Sequence, residues 1–149
     1  MARHRIKSEY RKQIEILQDY FLRSPVNPFN TRLEQAIQDR IEEIEYPYIT
    51  GDLNADIKSS GAVRDFMAER LVFAKESDRL LRTLEKRQRI CAEIIRSTPE
   101  DLLKVLKEVY VYERWSIEKE GSAAMFMSKE ALYKKVREWF EDFEDRFYT

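Results

Sequence analysis

The chain has 149 residues, 43% hydrophobic and 37% charged, with only three Gly and four Pro, the composition of a single small domain built on long, solvated helices. A formal net charge of -1 excludes a polycation, so any nucleic-acid surface has to be a local patch. Cys91 and His4 are the only residues of their kinds, which excludes an intramolecular disulfide, a Cys/His zinc site and nucleophilic catalysis by a Cys–His or Ser–His pair.

In chain order, the first predicted helix covers about 4–22, where Ile6, Tyr10, Ile14, Leu17 and Phe21 recur at helical spacing. Its opening carries Arg3, Arg5, Lys7, Arg11 and Lys12; Arg3, His4, Arg5 and Lys7 read either as a soluble terminus or as a phosphate-binding arm. The stretch SPVNPFN breaks the helix, since two prolines so close cannot continue it. Thr31 with Glu34 forms a capping box that opens a second helix, 31–46, with Leu33, Ile37 and Ile44 on one side and Pro47 as its stop. A polar, turn-rich loop spans 49–61.

From 62 to 96 neither Gly nor Pro occurs, which predicts one helix of about 50 Å. Phe66, Phe73 and Leu80 repeat every seven residues on it, with Leu84 and Cys91 on the adjoining stripe. This helix, or the aromatic C-terminus, is a candidate homodimer surface. Arg79, Arg82, Lys86, Arg87, Arg89 and Arg96 make its second half basic, either a solvated face or a phosphate-binding stripe. Cys91 reads as a small apolar filler.

Residues 98–149 follow as a second region after 1–97. Thr98 is the expected cap of the next helix, with Pro99 at its first position and Glu100 and Asp101 at the positive end of the dipole. That helix buries Leu102, Leu103, Leu106 and Val109. A short helix is predicted from Ser116 to about Met125, and Ser128 caps the last helix. On it Leu132, Val136, Trp139, Phe140 and Phe143 share one stripe, leaving Lys129, Glu130, Tyr133, Lys134 and Arg137 off it. Nothing reads as a strand, so the predicted fold class is all-α. The order helix, short helix, tight turn, capped helix is that of a helix-turn-helix.

The stretch TPEDLLKVLKEVYVYERWSIEKEGSAAMFMSKEALYKKV resembles the C-terminal part of bacteriophage transcriptional regulators of the RinA and ArpU type, whose DNA-binding part is similar to region 4 of sigma factors. The resemblance rests on the Pro-Glu helix start, the aromatic pair Tyr110 and Tyr112, and the serine-capped segment with Ser128, Lys129, Glu130, Leu132 and Tyr133. It covers about 50 residues by motif and the rest by layout. It implies a double-stranded DNA partner, contact with a host RNA polymerase, and a recognition surface of Ser128, Lys129, Glu130, Tyr133, Lys134 and Arg137. Two positions depart from the family pattern. Gly121 falls inside the short helix at a cost of about 1 kcal/mol relative to Ala, and the bulky Phe126 near the turn disfavours a positive φ. The competing expectation is a non-enzymatic helical interaction or packaging-associated protein in which the helix-turn-helix is only a scaffold. There is no Gly-rich phosphate loop, Glu-x-x-His pair or nucleophile elbow, so neither enzyme activity, cofactor nor metal is expected. No apolar run approaches 18 residues, and the expected setting is the cytoplasm of a bacterial host, away from membranes.

Overall fold

A computed structural model describes residues 5–49 and 61–148, which form helices and their connections with no strand among them. The N-terminal positions Arg3 and His4 and nearly all of the polar loop 49–61 lie outside the described residues. No helix is long and apolar enough to cross a membrane among the described residues.

The first predicted helix is two, α1 (Ile6–Glu9) and α2 (Arg11–Phe21), bent at Tyr10, whose φ is -111° and ψ 27°. The bend leaves the hydrogen-bond ladder running on both sides and turns the Tyr10 ring onto Phe140, stacked at 5.3 Å between centroids. After α2 the chain reverses through a loop tied by Ser24 N–H to Asn30 carbonyl and Arg32 N–H to Leu22 carbonyl, both 2.9 Å. The capping box forms as expected. Thr31 N–H donates to Glu34 Oε1 at 2.8 Å, and Glu34 N–H donates to Thr31 Oγ1 at 3.1 Å. It opens α3 (Arg32–Ile49), which passes Pro47 instead of stopping there. A proline this close to a helix end forfeits one hydrogen bond, and φ near -65° still fits the last turn.

The single helix expected over 62–96 is also two, α4 (Gly61–Ser77) and α5 (Arg79–Ser97). The break is Asp78, which leaves helical geometry to accept Leu81 N–H at 2.8 Å as the cap of α5. Arg40 of α3 grips the same carboxylate with both arms of its guanidinium, at 3.1 and 2.6 Å, and with the capping bond holds its pKa down to about 2. Lys75 to Glu45, 2.6 Å, is a second tie between α4 and α3. Without Gly or Pro, the chain turns because a carboxylate at a helix N-terminus with a cation beside it outweighs one more turn of helix.

Thr98 closes α5 instead of opening the next helix. Its hydroxyl donates to Ile94 carbonyl at 2.5 Å and accepts from Trp139 Nε1 at 2.9 Å, and Pro99 takes the cap position of α6 (Glu100–Leu106). Helix α6 widens into a π-helical turn (Lys107–Val111). Arg114 then folds back onto the buried Glu108 carboxylate, while Glu108 carbonyl accepts from Arg114 and Trp115 N–H. A second π-helical turn (Ile117–Gly121) leads into α7 (Ser122–Met125), and α8 (Lys129–Arg146) ends the fold.

One core crosses the expected 97/98 boundary. Ile6, Tyr10, Ile14 and Leu17 from the N-terminal helices and Ile90, Cys91 and Ile94 from α5 pack with Val105, Leu106, Tyr110, Leu132, Val136, Phe140 and Phe143. Phe140 is its hub, with Tyr10 stacked on it and Tyr110 and Trp139 edge-on at 5.2 and 5.1 Å. Cys91 is wholly buried, and burial pushes its thiol up to about 12, as befits an apolar filler.

Candidate nucleic-acid interface

Helix α8 is set by Ser128, which is extended and accepts Ala131 N–H on its hydroxyl at 3.2 Å. All five residues of the expected apolar stripe, Leu132, Val136, Trp139, Phe140 and Phe143, are buried. The second π-helical turn meets α8 at Gly121, its last residue. A Cβ there would lie 3.2 Å from Leu132 Cδ2, 3.2 Å from Ser116 carbonyl oxygen and 3.5 Å from Val105 Cγ1. The glycine has helical φ, so its use is close approach: a side chain there would press on Leu132 and on the Ser116 carbonyl. Phe126 adopts the positive φ that its bulk disfavours, 52° with ψ 43°, and its ring projects into solvent at 94% exposure. The turn imposes this conformation because Phe126 and Met127 N–H bond back to Ala123 and Ser122 carbonyls. Nothing in the packing of the ring offsets it.

The six residues expected to form a recognition surface divide into two sets. Ser128, Glu130 and Lys134 are exposed and Lys129 is half-buried. Lys135, on the same turn, is exposed too. Tyr133 and Arg137, one turn apart on the flank of α8, are half-buried and bond to neighbouring elements. The Tyr133 hydroxyl donates to Glu118 Oε1 at 2.5 Å, and the Arg137 guanidinium donates to the Glu9 carboxylate of α1. Tyr133 also lines a cleft of about 300 Å³ with Ile6, Lys7, Tyr110, Trp115 and Glu118. Helix α1 therefore lies alongside the front of α8.

Sequence reasoning missed Glu9, Glu118 and Lys7 as neighbours of this surface. Glu9 stands 128 residues from Arg137, and no local pattern announces such a pair. Glu118 is closer, but only the register of the second π-helical turn brings it under Tyr133. On α5, Arg79, Arg82, Arg89 and Arg96 are exposed, while Lys86 donates to Phe147 carbonyl at 2.7 Å and so closes the far end of α8. Among the described residues no cluster of His, Cys, Asp and Glu is suited to a metal ion.

No family model, curated protein or solved structure matches the chain.

Proposed function

We propose that the chain is a DNA-binding transcriptional regulator of the bacteriophage type, with the leading turns of α8 as the element that enters the major groove. The observation that carries this reading is the division within two turns of one helix: Leu132 and Val136 are wholly buried, while Lys134 and Lys135 between them stand in solvent. A helix so seated on a short partner through Gly121, with a serine cap and cations at its front, has the form of a recognition helix. In this reading Lys129 and Lys134 meet phosphates, aided by the positive end of the α8 dipole. Glu130 faces base edges, where a carboxylate accepts from cytosine. Tyr133 and Arg137 brace the front through Glu118 and Glu9. The N-terminal half is left for a polymerase.

The test is binding to duplex DNA at a series of salt concentrations. Lys134→Ala and Lys129→Ala should each flatten the salt dependence by about one unit of slope. Arg137→Ala should lower thermal stability more than it changes the slope. A wild-type protein whose micromolar DNA affinity is absent or independent of salt would refute the reading. One observation favours the scaffold alternative: two of the six recognition residues are already engaged with carboxylates of the same chain. On that alternative the protein is a helical interaction component, and DNA binding is absent while the fold is intact.

A further inference from the structure

Among the described residues nothing covers one face of α4, a face that the DNA-binding reading does not use. Met67, Leu71, Ala74 and Lys75 are half-buried on the side toward α3, whereas Phe66 and Phe73 are 56% and 70% exposed on the other. Glu69 and Arg70 lie between the two rings on the same exposed side. The Arg70 guanidinium rests 5.6 Å above the Phe66 ring, and neither it nor Glu69 forms a salt bridge among the described residues. Two large aromatic rings one above the other, seven residues apart, with one charge of each sign between them, form an apolar patch that the described residues leave open to water.

We propose that this face binds a second copy of the chain, with the two α4 helices antiparallel about a two-fold axis between Glu69 and Arg70. The face is its own complement in that register. A two-fold axis there sets Phe66 against the partner's Phe73, and Phe73 against the partner's Phe66. It also sets Glu69 against the partner's Arg70, and the reverse, so both charges are matched twice over. A parallel arrangement would bring Glu69 onto its own copy and Arg70 onto its own copy. Leu80 continues the seven-residue spacing but stands on α5 beyond the break at Asp78, outside this pairing. One helix from each copy makes a small interface, which belongs to the weak, concentration-dependent class. Self-association of this kind does not depend on DNA binding, and a dimer without DNA affinity would leave it standing.

Sedimentation velocity from micromolar to millimolar protein reads the association directly. The full chain is expected to move from monomer to dimer over that range. Glu69→Arg places like charges opposite each other twice and should weaken the dimer at least about tenfold, and adding Arg70→Glu should restore it. Phe66→Cys and Phe73→Cys chains should cross-link when mixed under oxidising conditions but not when oxidised singly. In the antiparallel register the two copies of position 66 stand about 10 Å apart along the helix, beyond the reach of a disulfide, about 7 Å between Cα atoms. Unchanged melting of each variant shows that the fold is intact. A monomer at every concentration, a dimer indifferent to Glu69→Arg, or cross-linking of Phe66→Cys with itself would overturn the inference.

Discussion

At Gly121 two residue-scale effects oppose each other. Alanine would gain about 1 kcal/mol of helix propensity, but its methyl group would enter space already held by Leu132 and by the backbone oxygen of Ser116, each at 3.2 Å. Leu132 is wholly buried and the oxygen is main chain, so neither can yield cheaply. Overpacking of about 1–3 kcal/mol should win, and Gly121→Ala is expected to destabilise by about 1 kcal/mol in denaturant titration; a stabilised variant would mean that the second π-helical turn and α8 can slide apart. Phe126 is the opposite case. Its left-handed backbone costs about 1 kcal/mol, and its exposed ring contributes little packing. Phe126→Gly should therefore raise stability by about 0.5–1 kcal/mol, visible as a higher Tm.

The junction of α4 and α5 is where an element depends on one carboxylate. Asp78 has its pKa lowered to about 2 by Arg40 and by the capping bond, below the ordinary value of 3.8. Its contribution to stability is therefore complete above about pH 4 and is lost as pH falls toward about 2. Asp78→Asn should be less stable than wild type at about pH 6, and the gap should close between about pH 4 and 2; a gap that stays constant with pH would show that the charge plays no part. The same junction shows what local sequence can and cannot reveal. The residues that bury α8, the Thr31–Glu34 box and the Ser128 cap are legible because each depends on neighbours within one or two turns. Asp78 carries a readable signal too, an acidic residue shortly before a leucine-rich run, yet the absence of Gly and Pro across 62–96 argues for continuity. Its decisive partner, Arg40, lies 38 residues away. Thr98 misleads for the same reason: it has the right chemistry for a cap, but the Trp139 indole reaches it from 41 residues along the chain. The two π-helical turns have no pattern to find, because an extra residue in a helix shifts the face without changing the residue types.

On the scale of the whole molecule, the division at 97/98 is a change of sequence character without a break in the core. The front of the candidate reading helix is braced by α1 through Glu9 and Arg137, and the ring of Phe140 is covered on one side by Tyr10 and on another by Tyr110. Removing residues 1–97 would strip Ile6, Tyr10, Ile14, Leu17, Ile90, Cys91 and Ile94 from that core at one stroke. What remains is about 50 residues, a size at which even an intact domain is marginal. The fragment 98–149 is therefore expected to lack a cooperative thermal transition and to give a collapsed amide spectrum in solution. A dispersed spectrum with a sharp melt would show instead that α6, α7 and α8 suffice as a unit. The truncation Tyr10→Ala in the full chain tests the same dependence more gently, with an expected loss of about 3 kcal/mol for an aromatic side chain removed from a packed core. Because the N-terminal helices complete the hydrophobic seat of α8, the proposed DNA binding has to be assayed on the whole chain. Loss of binding in the isolated C-terminal region would report its unfolding and leave the chemistry of Lys129 and Lys134 unjudged.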